Sequence, residues 1–199
     1  MKPLLLATGN AGKLRELRAL LASLPIRLLS PQDVGLSLVV EEDGATYAEN
    51  AAKKALAYAS ASGMMVLADD SGLEVDALDG APGLHSARYH PDVHADAAAR
   101  RAYLLENLRG MPRPWTARFR AVVAVASAGA PPLFFEGICE GEIIPLERGA
   151  GGFGYDPIFF LPELGKTLAE LSMEEKNRLS HRARAVQRAI PILRRLLAA

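Results

Sequence analysis

LLLATGNAGKLRELRALL, residues 4–21, joins two hydrophobic periodicities through a glycine-rich corner. Leu4 to Ala7 is a short unbroken apolar run, the pattern of a buried strand. From Leu14 the apolar positions recur at Leu17, Leu20, Leu21 and Leu24, one stripe of a helix that Pro25 ends. Strand, tight corner and helix in that order open an α/β fold. The corner, Thr8-Gly9-Asn10-Ala11-Gly12-Lys13, has a second reading. A helix N-terminus carries backbone N–H groups without helical partners, and a lysine beside them adds a cation, so the corner suits a phosphate. It is not a Walker A loop, because its glycines are too closely spaced and Leu14 stands where a Mg²⁺-holding hydroxyl would follow the lysine. The same residues also fit a plain strand-to-helix turn with an exposed lysine, and this stretch alone leaves both open.

Working outward, Ile26–Leu29 reads as a second strand. Thr46 to about Ser62 reads as a helix with Thr46 and Glu49 spaced as a capping box. Met64–Ala68 is a buried strand that runs directly into Asp69-Asp70-Ser71-Gly72, and a turn-rich stretch punctuated by Gly and Pro follows. Asp96–Leu108 is helical. Ala117–Ser127 and Leu133–Ile144 form an antiparallel pair across AGAPP. Beyond a glycine-dense loop at 148–157, the chain is helical, with a capping box at Ser172/Glu175, a fresh start at Ser180 and a kink or early stop at Pro191. The order predicts a mixed α/β sheet flanked by helices, in one domain spanning 1–199 or two closely packed lobes.

Composition narrows the function. Lys plus Arg and Asp plus Glu number 23 each among 199 residues. That balance argues against a protein whose main work is binding long nucleic acid, which needs a net basic face. One cysteine, Cys139, gives neither an intrachain disulfide nor a thiolate cluster. No apolar stretch nears the roughly 20 residues of a membrane span, and none resembles a secretory leader, so a cytoplasmic location is expected.

Three further stretches carry chemistry. Along an extended chain Asp69 and Asp70 point to opposite faces, so one can face a site while the other anchors the loop. Ser71 can donate to a phosphate. The acidic run Glu41-Glu42-Asp43 can lend carboxylate to the same hard cation, or simply be solvated. In GAGGFGYDP (149–157), four glycines around Phe153 and Tyr155 allow a tight backbone, from which an aromatic ring can stack on a base or pack into the core. Lys176, His181 and Arg182 bring three donors together, the last two in the first turn of a helix if Ser180 caps it. His90 and His94 have zinc-like spacing, but Pro91 intervenes and no Glu follows the first His.

Taken together, ATGNAGKLREL, YAENAAKKA, LADDSGLEVDALDGAPG, SAR, GGFGYDPIF and MEEKNRLSHR resemble the inosine/xanthosine triphosphate pyrophosphatases, in family order and over nearly the whole chain. The resemblance implies an elongated mixed sheet in two lobes with a nucleotide cleft between them, and a Mg²⁺-dependent homodimer. It also implies hydrolysis of ITP, dITP and XTP to monophosphate and pyrophosphate, with no nucleic-acid or membrane partner. By position it assigns the triphosphate to the corner, Thr8, Gly9, Asn10, Ala11, Gly12 and Lys13, with Lys54 and Ser71 nearby. Asp70 becomes general base and metal ligand, with Glu41 chosen over Glu42 as the second ligand. Phe153 stacks on the base, Gly154, Tyr155 and Asp156 shape its pocket, and Lys176, His181 and Arg182 complete the nucleotide contacts. One departure is His85, where the family pattern leads us to expect an aromatic. The alternatives are a nucleotide-binding regulator without turnover, a phosphatase acting at the γ position, and an RNA module using RPWTARFR (113–120).

Overall fold

The computed structural model describes residues 1–198, so the last residue of the expected 1–199 domain lies outside it. Seven strands form one sheet in the order β2-β1-β3-β4-β5-β6-β7. They are β1 (Pro3–Leu6), β2 (Arg27–Leu29), β3 (Met65–Val75), β4 (Trp115–Ala126), β5 (Leu133–Ile143), β6 (Phe159–Leu161) and β7 (Lys166–Thr167). The helices are α1 (Ala11–Leu21), α2 (Tyr47–Ser62), α3 (Ala97–Asn107), α4 (Met173–Leu179) and α5 (His181–Ala198). β1 pairs in parallel with β2 and β3, while β6 runs antiparallel to β5 and β7. The connection between neighbours β4 and β5 is residues 127–132, too short for a parallel crossover, so the expected hairpin forms. The mixed α/β class follows.

The helices begin where their caps dictate. The Asn10 side chain accepts from the Lys13 N–H, so α1 starts at Ala11, three residues before its apolar stripe. Such a cap is worth about 1 kcal/mol. Thr46 caps α2 in the same way, but Glu49 returns its bond to the Ala45 N–H and leaves the box half formed. Ser172 and Glu175 close a complete capping box on α4, and Ser180 separates α4 from α5.

The chain divides into two compact units. The first comprises residues 1–70, 121–137 and the chain from His181 onward; its core joins Leu4 and Leu6 to Leu17, Leu21, Val123, Val186 and Leu193. The second comprises residues 71–120 and 138–180, around Leu73, Leu104, Phe119, Tyr155 and Phe159.

Two expectations need correction. Strand β3 does not stop at Ala68: it continues through Asp69-Asp70-Ser71-Gly72 to Val75, so the paired carboxylates sit mid-strand. Helix α5 is not cut short at Pro191 but runs on to Ala198. Pro191 lies on the exposed face, so the hydrogen bond it cannot make falls where water is available. The interior-proline cost of ~3 kcal/mol is met in large part by burying Leu193, worth about 1.5–3 kcal/mol.

Candidate active site

In the first unit, a charge cluster forms where α1 begins beside β3. Asp69, only 1% exposed, accepts at one oxygen from two cations: Lys13 Nζ at 3.3 Å and Arg182 Nε at 3.0 Å. Arg182 is itself wholly buried and carries its other arm to Glu16 of α1. From α2, Lys54 Nζ donates to the Asp69 backbone carbonyl at 3.0 Å and pairs with Glu42. Burial alone would raise the Asp69 carboxyl, but Lys13, Arg182 and Lys54 outweigh it and hold the group well below the usual range. Asp69 is therefore a fixed anion that anchors the cluster.

Asp70 lives in a different field. Burial dominates and pushes its carboxyl up, against the opposing influence of Lys13, a hydrogen bond from Asn50, and Lys54. Adjacent aspartates on one strand, whose side chains point to opposite faces, thus have opposite shifts set by their different surroundings. Asn50 Nδ2 donates to Asp70 at 3.1 Å, while Asn50 Oδ1 accepts from the Gly44 N–H at 2.7 Å. That one side chain ties the acidic run to Asp70. Glu42 is half-buried against Lys54, whereas Glu41 is exposed.

Lys13 lies in the first turn of α1, where burial pulls its pKa down and Asp69 resists. Lys54 is held above its ordinary value: burial lowers it, and Asp69 and Glu42 more than compensate. Thr8 and Asn10 are linked by a 3.1 Å bond from the Asn10 N–H to Thr8 Oγ1. Gly9, Asn10 and Ala11 are exposed and Gly12 is buried. Ser71 follows Asp70 on β3, half-buried, and His181 begins α5, buried.

In the second unit, the glycine loop is folded around Asp156. Its Oδ2 accepts from the Phe153 N–H at 2.7 Å and from Lys176 Nζ at 2.6 Å. Gly152 has φ +69°, and a Cβ there would strike the Asp156 carboxylate, so only glycine fits. Lys176 Nζ also stands 5.0 Å from the centre of the half-buried Phe153 ring. Tyr155 is buried, its hydroxyl donating to the Ser86 carbonyl at 3.0 Å, and burial raises its pKa far above the ordinary value. Gly154 lies between the two aromatic residues. The departure at His85 is met locally: its Nδ1 accepts from Arg88 Nε at 3.1 Å in the helical turn Gly83–Arg88. His90 Nδ1 accepts from the Asp92 N–H at 3.0 Å and its ring meets Tyr103 edge-on.

The expected residues thus assemble in two groups: Thr8 to Lys13, Lys54, Asp69, Asp70 and Arg182 in one unit, and Phe153 to Asp156 with Lys176 in the other. Arg182 turns to Glu16 and Asp69, and Asp156 turns inward to its own loop. The sequence reading overlooks Glu16 and Asn50. Asn50 stands four residues before Lys54, one turn along the same helix face, a spacing that could have flagged it. Glu16 has no such local signal, since its partner is 166 residues away.

The fold and the first cluster define a mixed α/β protein with a cationic helix start set against paired carboxylates. The Ham1 family pattern matches residues 4–192, and the chain belongs to that family. It is 50% identical over 194 residues to the dITP/XTP pyrophosphatase of Desulforamulus reducens, spanning 97% of this chain and 96% of that protein. A dITP/XTP pyrophosphatase of Geobacter sulfurreducens is 50% identical over 187 residues, 94% of each chain. Among solved structures, a HAM1 protein from Coxiella burnetii superposes with a TM-score of 0.87 at 39% identity, covering 97% of this chain and 98% of that one.

Proposed function

We propose that this protein hydrolyses the triphosphates of deaminated purines, ITP, dITP and XTP, to monophosphate and pyrophosphate, and so clears them from the nucleotide pool. The observation that carries the reading is the meeting of Lys13, Lys54 and the α1 N-terminus with Asp69 and Asp70. Relatives bearing the name dITP/XTP pyrophosphatase, at 50% identity over nearly the full length, support dITP and XTP as substrates.

The phosphates fall to Thr8–Lys13, Lys54 and Ser71, where N–H donors, a helix N-terminus and two ammonium groups neutralise charge on the leaving pyrophosphate. Asp70 accepts the proton of the attacking water as the water oxygen bonds to the α phosphorus and the bond between the α and β phosphates breaks. The donor set offers oxygen only, Asp70 with Glu41 or Glu42 on the loop that Asn50 ties to it, which fits a hard cation such as Mg²⁺. Bound there, that cation supplies further charge neutralisation at phosphate oxygens. Glu41 is the assigned second ligand; Glu42 pairs with Lys54.

Phe153 stacks on the base, with Gly154, Tyr155, Asp156 and Lys176 shaping that end. Hypoxanthine and xanthine present a 6-oxo acceptor where adenine has an amino donor. Donors facing that edge, assigned to His181 and Arg182, are left unpaired by adenine at about 1–3 kcal/mol each. Arg182 would give up a carboxylate bond to take that part. With the reading come a single catalytic domain over 1–199, a homodimer and a cytoplasmic location. Among the described residues no helix is long and apolar enough to cross a membrane.

The test is incubation with dITP, XTP and ATP in Mg²⁺, identifying the products. Pyrophosphate from dITP and XTP but little from ATP is expected. Orthophosphate instead would make this a γ-phosphatase, and no turnover would leave a binding protein.

A further inference from the structure

From the second unit, we infer that Arg101 is a positioning residue that sets the orientation of the Phe153–Tyr155 loop without touching substrate. The inference rests on the reading of Phe153 as the base platform.

Arg101 projects from α3, and its side chain is only 12% exposed. Nε and Nη2 donate to the two carboxylate oxygens of Glu147 at 2.8 and 2.9 Å, a fork that fixes the guanidinium plane. With the plane fixed, Nη1 donates at 2.8 Å to the backbone carbonyl of Gly154. These partners lie 46 and 53 residues away in sequence.

Gly154 has φ +61°, and a Cβ built on it would meet no atom within 4 Å. Its glycine is therefore demanded by backbone conformation and not by crowding at the Cβ position. The peptide between Gly154 and Tyr155 is held through its carbonyl by Arg101. Before it along the chain, the Phe153 N–H is held by Asp156. The stacking residue is thus gripped by hydrogen bonds before and after it, one from its own loop and one from α3. A platform aimed by two such bonds needs no ordering when the base arrives.

Removal of Arg101 frees the Gly154 carbonyl and leaves a left-handed glycine able to rotate. Base binding then weakens, while the phosphate and proton-transfer groups of the first unit are untouched. Lysine cannot replace the fork and the third bond together, because it is a point donor.

The experiment compares wild type, Arg101→Ala, Arg101→Lys and Glu147→Ala by two readouts. In hydrogen–deuterium exchange without nucleotide, segment 150–156 is expected to exchange faster in Arg101→Ala, less so in the other two, with residues 3–21 unchanged. In steady-state hydrolysis of dITP, KM is expected to rise about tenfold in Arg101→Ala, the weight of one hydrogen bond from a charged group, with kcat within about twofold. Inhibition by inorganic tripolyphosphate, which has no base, should be unchanged. Equal exchange of segment 150–156 in all four proteins overturns the inference, as does a KM rise matched by an equal loss of tripolyphosphate inhibition. Should Arg101→Ala not fold, Glu147→Ala decides by the same readouts, since it releases the guanidinium plane while keeping the arginine. Wild type inert towards dITP would sink the proposed function alone, and the exchange data would still decide whether Arg101 holds the loop.

Discussion

Lys13 and Asp69 meet at 3.3 Å, tying the first turn of α1 to the middle of β3. The lysine is 16% exposed and the aspartate side chain fully buried, so the pair presents its positive end outward. Lys13→Ala removes the charged donor proposed for phosphate, worth about 1.5–3 kcal/mol, so KM for dITP should rise about 10- to 100-fold. Initial-rate kinetics check this; unchanged KM and kcat would take the phosphates away from the corner.

Asp70→Asn keeps the shape and the Asn50 contact but cannot accept a proton. Turnover should fall by about 10²–10⁴, the usual worth of a positioned general base. Calorimetry with a non-hydrolysable analogue should still register binding. Near-normal turnover would reassign the base. Chelation with EDTA should abolish wild-type activity, and added Mg²⁺ should restore it.

Phe153→Ala removes the proposed stacking face, at about 1–3 kcal/mol per base. KM for dITP should rise while tripolyphosphate inhibits as before. A fall in kcat alone would place the base elsewhere.

Arg182→Met leaves Glu16 and Asp69 as buried anions that have lost their shared partner, a change costing about 3–5 kcal/mol. Chemical denaturation should show that loss at neutral pH. Activity of the folded variant on dITP should fall as well, because the same guanidinium is proposed to face the 6-oxo edge; unchanged activity would take Arg182 away from the nucleotide.

Glu170 gives a pH-dependent prediction. Its carboxyl lies below the ordinary 4.5, chiefly through the Thr167 N–H, against slight desolvation and with help from Arg148. A depressed carboxyl contributes stability above its unfolded value and loses it as pH falls through the folded one. The melting temperature of Glu170→Gln should therefore lie below wild type at pH 7, and the gap should close below about pH 4.5. A gap constant across that range would count against the ionised cap.

The sequence alone fixed whatever is local. Period and cap residues define α1, α2, α3 and α4, and the glycines of the 149–154 loop foretell its tight backbone, because such preferences act within a few residues. Asp69 and Asp70 read as the end of a strand, because two neighbouring carboxylates are costly to bury. Only the tertiary structure supplied Arg182, 113 residues away, and Lys13 to make burial tolerable. Likewise Pro191 reads as a break until packing shows that it faces water while Leu193 enters the core. Glu16 against Arg182 and Arg101 against Gly154 leave no periodic trace, since a charge pair depends on where the chain returns in space and not on its neighbours along it.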